Sequence, residues 1–235
     1  MRRSVRIFGT VLTVGGVLTL LWALLVWQWQ DPFTALYTTW KQHQLASQYN
    51  KRVAAYQADG LSGVSFATER RAIAAEAKRY RTQTHEGEAI GRIKIPRMHL
   101  NMIVVDGTDH ETLKKGPGRD FRTFMPGENR LVYIAGHRTT YLAPFSHIDE
   151  LRKGDKVTLE VPYATFVYTV TGHRVVPADD LSVLKSPRHE LLELQACHPR
   201  FFATHRYIAY ALLARVEPRG GTPFDLAAAA QASGR

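Results

Sequence analysis

The hydrophobic pattern divides the chain into three stretches of different period. The first is an uncharged, mainly apolar run from Ile7 to Trp27. It is long enough for a helix to cross bilayer hydrocarbon, which takes roughly 20 residues. Arg2, Arg3 and Arg6 precede it, and no basic residue follows it until Lys41. That asymmetry predicts a cytoplasmic N-terminus and an exported remainder, with residues 1–30 as tip and transmembrane anchor. Trp22, Trp27 and Trp29 suit an interfacial aromatic belt at the outer end. A cleaved signal peptide is the competing reading; the run is long for one, and no small-x-small cleavage pattern follows.

The second stretch, residues 31–88, reads as a helical or extended stalk. Phe33, Leu36, Tyr37, Trp40, Leu45, Tyr49, Val53 and Tyr56 recur at helical spacing, which predicts one apolar helix face. Gly60 and Gly63 interrupt it, and TERRAIAAEAKRY predicts a second helix. From Ala89 the period falls to two. AIGRIKIP, LNMIVV, RLVYIAG, KVTLEV, TFVYTVTG, LLELQAC and RYIAYALLARV read as strands. Asp106-Gly107, Pro126-Gly127, Gly154-Asp155 and Pro177 mark turns between them. Thr108 with Glu111 forms a capping-box pattern opening a brief helix that Gly116 and Pro117 stop. Many short strands with few helices predict a mostly β body over residues 89–217, a small barrel or sandwich. Residues 218–235 read as a flexible tail, with a short helix at Ala227 to Ala230 as an option.

Composition narrows the class. An apolar fraction of 45% supports a packed core. The formal charge of +10 asks for an anionic neighbour. The basic residues are spread along the chain without a nucleic-acid fingerprint, so membrane or wall polymers are the better partners and nucleic acid is not expected. The single cysteine, Cys197, excludes an intramolecular disulfide.

Cys197 ends a predicted strand, and His198, Arg200, His205 and Arg206 surround it. Positive charge favours thiolate over thiol, so Cys197 is a candidate nucleophile. A cysteine nucleophile needs an acid/base partner. Among ten histidines, His137 stands out because it ends the strand RLVYIAG and opens the loop HRTTYLAPF; His147 and His173 are weaker candidates. Arg206 begins the strand after Cys197, where an antiparallel partner would bring a guanidinium to an oxyanion. Cys197, His198 and His137 lack paired zinc-ligand spacing such as Cys-x-x-Cys, and no acidic loop resembles a calcium cage; no metal or cofactor is expected.

The runs LKKGPG, MPGENRLVYIAGHRTTYLAPFSHIDELRKGD and LQACHPRFFATHR together resemble the sortases, most closely the class E type of high-GC Gram-positive bacteria. The resemblance covers about Ile90 to Val216. It implies an eight-stranded sortase β-barrel with short helices, preceded by the anchor and the stalk. By motif, His137, Cys197 and Arg206 fall on the family's catalytic positions. The family's usual Thr-Leu-x-Thr-Cys reads here Glu193-Leu194-Gln195-Ala196-Cys197, which changes the residue beside the nucleophile and makes Ala196 a substrate-contact position. Tyr141 is a further groove candidate.

The resemblance implies a cysteine transpeptidase that cleaves a Thr–Gly bond in a C-terminal sorting signal of Leu-Ala-x-Thr-Gly or Leu-Pro-x-Thr-Gly type. A thioester forms, and the protein passes to an amine of a peptidoglycan precursor or a pilin. The implied partners are secreted proteins bearing such signals and that amine. The alternatives are a cysteine peptidase or wall L,D-transpeptidase, and a catalytically inert, membrane-tethered domain that binds wall components.

Overall fold

The computed structural model describes residues 2–29, 32–57 and 65–226. Gly60, Gly63 and the optional helix at Ala227 to Ala230 lie outside the described residues, as do the side chains of Trp27 and Trp29. The first helix, α1 (Arg2–Trp29), is apolar on every side beyond Arg6, and its described side chains, from Arg2 to Leu24, are all exposed, Val5, Leu12 and Leu20 among them. A helix with no polar face and no protein cover suits an apolar solvent. α1 is thus consistent with a single-pass membrane anchor.

The period-two segments form the expected strands. β1 (Ala89–Ile95) pairs antiparallel with β2 (Leu100–Asp106), and a register irregularity between Ala89 and Gly91 lets Ile90, Ile93 and Ile95 all face inward. The other strands are β3 (Gly118–Arg119), β4 (Leu131–Ala135), β5 (Lys156–Val161), β6 (Ala164–Pro177), β7 (Leu191–His198) and β8 (His205–Pro218). Their order is β6-β5-β1-β2-β3-β4-β7-β8, and β8 pairs back onto β6 to close an eight-stranded barrel. Closure removes the free sheet edges that an open sheet would expose. The interior is filled by Ile93, Ile95, Phe166, Tyr168, Leu192 and Leu194, each fully buried. Each such apolar side chain contributes about 1.5–3 kcal/mol.

The stalk is two helices packed on this barrel. In α2 (Pro32–Ala55), Leu45 and Tyr49 bury against Ala89, Ile103 and Val105. The Gln42 amide donates to the Ile103 and Lys115 carbonyls at 3.0 and 2.8 Å and accepts from the Ile103 N–H at 2.7 Å. The expected single apolar stripe splits: Leu36, Tyr37 and Trp40 face away from the barrel. α3 (Phe66–Gln83), capped by Ser65, sends Ile73, Ala77 and Tyr80 into the main core.

Two further details differ from the sequence expectation. The brief helix α4 (His110–Leu113) is capped by Asp109, whose carboxylate accepts from the Glu111 and Thr112 N–H groups; Thr108 instead donates to Asp120. The start of the expected tail is held: the short strand β9 (Phe224–Asp225) pairs with β8, and the Phe224 ring meets Phe66 edge-on at 5.0 Å. The apolar ring supplies the burial that the Pro/Gly-containing composition did not suggest.

Candidate active site

Three neighbouring strands place the candidate residues. β4 and β7 run parallel, with Leu131 beside Leu191 and Ala135 beside Gln195. The Gly136 N–H donates to the Gln195 carbonyl at 3.0 Å, so the register continues and brings His137 level with Cys197. β7 and β8 run antiparallel, and Cys197 lies directly opposite Arg206. Adjacent strands lie roughly 4.8 Å apart, and opposed Cβ atoms about 5 Å. Alternation then selects the face. Leu192, Leu194 and Ala196 point into the barrel core, which turns Gln195 and Cys197 outward. His137, Cys197, Gln195 and Arg206 line one open cleft of about 260 Å³. It is also lined by Leu181, Val183 and Leu184 of the β6–β7 connection and by Leu113, Asp120 and Arg122.

The loop after β4 is built to hold His137. A Cβ on Gly136 would come 2.8 Å from the Phe145 ring, so only glycine lets the loop close there. The Phe145 N–H donates to the His137 carbonyl at 3.0 Å. The Tyr141 ring lies 5.1 Å from the imidazole, and the Tyr141 N–H donates to Thr34 of α2 at 3.2 Å. The imidazole also meets His110 edge-on at 6.4 Å, and its buried Nε2 has no hydrogen-bond partner among the described residues. Burial lowers the His137 pKa, and the neighbouring His110 and Lys114 push the same way. The neutral imidazole is therefore favoured at rest.

Arg206 anchors one guanidinium nitrogen on the Ala203 and His205 carbonyls, at 2.7 and 3.0 Å, while it lines the cleft. Arg138, which follows His137, was not singled out from sequence. It is buried, donates to the Cys197 carbonyl at 3.3 Å, contacts His198 Nδ1 at 3.1 Å and pairs with Asp149 at 2.6 Å. It ties the histidine loop to the cysteine strand. The only sequence signal for it was its place in the AGHR segment.

The other candidates lie elsewhere. His147 pairs with Glu150 at 2.8 Å on an exposed turn, and His173 stacks on Tyr207 at 4.9 Å. Ala196 is fully buried among the barrel-core side chains and is not one of the residues that line the cleft. Tyr141 supports the imidazole and does not line the cleft. Glu193, at the other exchanged position, faces outward but is buried, and its Oε2 has no partner among the described residues.

The model of the Sortase domain matches residues 93–214, more than half of the chain and nearly all of the barrel. The chain belongs to the sortase family. Sortase D of Bacillus subtilis is 35% identical over 129 residues, which are 53% of this chain and 63% of that protein, so the chain spans less than two thirds of that relative. The solved Clostridium perfringens sortase D5 transpeptidase matches with a TM-score of 0.59 over 74% of this chain and 98% of that one, at 23% identity, and shows the shared fold. Sortase E1 of Streptomyces coelicolor, solved with a tripeptide in its active site, matches with a TM-score of 0.53 at 25% identity, over 57% of this chain and 92% of that one. The class E resemblance has modest support, and class D relatives match as well.

Proposed function

We propose that this sortase is a cysteine transpeptidase acting on exported proteins with a C-terminal sorting signal of Leu-Ala-x-Thr-Gly or Leu-Pro-x-Thr-Gly type. The reading rests on one observation: strand register brings Cys197, His137 and Arg206 to one level on one face of an open cleft. Neutral His137 takes the thiol proton, and the Cys197 thiolate attacks the threonine carbonyl carbon. Arg206 stabilises the oxyanion that forms. The C–N bond then breaks, and the His137 imidazolium protonates the departing glycine amine. An amine of a peptidoglycan precursor or a pilin attacks the thioester, gives its proton to His137 and expels the thiolate.

The rival reading, an inert tethered domain, draws support from the exchanged residues at 193 and 196. Ala196 faces the core, however, so that exchange leaves the three polar groups of the cleft in place. The test is transfer of a fluorescent sorting-signal peptide to an amine acceptor. Wild type is expected to turn over. Arg206→Ala should lose about a hundred- to thousand-fold in rate. Arg206→Lys should not recover full activity, because an ammonium cannot copy the planar fork. Wild-type rates in both variants would remove Arg206 from the mechanism.

A further inference from the structure

α2 begins only two residues, Gln30 and Asp31, after α1. Its two faces differ. Thr38, Gln42, Leu45 and Tyr49 hold the barrel. The opposite face exposes Leu36 (72%), Trp40 (53%) and Tyr37 (37%) in its first turns. Lys41 Nζ lies 4.4 Å from the Trp40 ring centroid and 5.8 Å from that of Tyr37. Further along, the exposed positions turn polar: His43, Gln44, Ser47, Gln48, Asn50 and Lys51. The helix contains no Asp or Glu. Among the described residues of α2, the exposed large apolar side chains are thus confined to the end nearest the anchor; at the far end only Ala54 and Ala55 are exposed and apolar.

Aromatic side chains beside a lysine are what the membrane–water interface accommodates: the rings sit among headgroups, and the ammonium reaches the phosphates. We propose that Leu36, Tyr37, Trp40 and Lys41 lie in the headgroup region of the bilayer that α1 enters, so that α2 is clamped between membrane and barrel. The clamp reaches the cleft. Thr34 accepts from the Tyr141 N–H, and Thr38 donates to the Lys114 carbonyl at 2.8 Å, so the same helix holds the loop of His137 and the end of α4. The active site is thereby kept at the membrane surface rather than at the end of a free tether. This rests on the reading of α1 as a membrane span.

The single native cysteine makes the test direct. In a Cys197→Ala background, one cysteine each is placed at Leu18, Leu36, Trp40 and Ser47 of the full chain. The protein is reconstituted into phosphatidylcholine/phosphatidylglycerol vesicles and spin-labelled, and collision rates with oxygen and with a water-soluble nickel chelate are measured. The expected oxygen-to-nickel ratio is highest at 18, intermediate and several-fold above that of 47 at 36 and 40, and aqueous at 47. Ratios at 36 and 40 equal to that at 47, with 18 deep, would overturn the proposal and leave the anchor intact. An aqueous ratio at 18 would instead remove the anchor itself, and the proposal with it. Dipolar broadening at 40 that disappears on dilution with unlabelled protein would show a second copy on this face and also overturn it.

Discussion

Glu193 sits on the outward face of β7, beside Tyr133 on β4 and opposite Tyr210 on β8. It is 4% exposed, its Oε2 has no partner among the described residues, and burial raises its pKa from an ordinary 4.5 to about 7. Between these values the folded protein holds a proton that the unfolded chain has released. Stability therefore falls as pH rises through that window and levels off above it. At 1.36 kcal/mol per pKa unit, the full cost at pH 8.5 is about 3 kcal/mol, as an upper figure. Glu193→Gln keeps the shape and removes the charge. Relative to wild type it should be nearly neutral at pH 4.5 and more stable by about 3 kcal/mol at pH 8.5, a rise in Tm of roughly 6–12 °C. The assay is thermal unfolding of the full chain in mild detergent across that range. Glu190, buried and likewise raised to about 7, is present in both proteins and cancels in the difference. Curves that run parallel from pH 4.5 to 8.5 would show that Glu193 is solvated or paired in solution, and the burial reasoning would fail.

Lys114→Gln removes one of the charges that lower the His137 pKa, so the imidazole titration followed by NMR should move to higher pH; an unmoved midpoint would mean that the lysine does not reach the ring. Gln42→Leu leaves the Ile103 N–H and the Ile103 and Lys115 carbonyls without their side-chain partner. It should cost roughly 2–4 kcal/mol, read as a lower Tm, and an unchanged Tm would show that these three hydrogen bonds add nothing to the barrel's stability.

The strand set was legible because the alternation is strong where one face is core. Seven apolar/polar segments correspond to β1, β2 and β4 to β8. β3 was not legible: with two residues it carries no period, and it exists because the chain passes between β2 and β4. The parallel partnership of β4 and β7 is a long-range event that no local pattern announces, yet it is what levels His137 with Cys197. The α2 stripe misled because a helix apolar on two faces produces the same spacing as one wide face. Leu45 and Tyr49 answer to the barrel, while Leu36 and Trp40 do not. Arg138 and His110 escaped notice because their importance lies in contacts across loops.

The most direct measurement is the intact mass of the protein after incubation with a Leu-Ala-x-Thr-Gly or Leu-Pro-x-Thr-Gly peptide and rapid acid quench. Wild type should gain the mass of the acyl fragment ending at threonine, on Cys197, and lose it to added hydroxylamine or amine; Cys197→Ala should gain nothing. A folded wild type that gains no mass from either peptide, or a Cys197→Ala protein that gains the same adduct, would contradict the account.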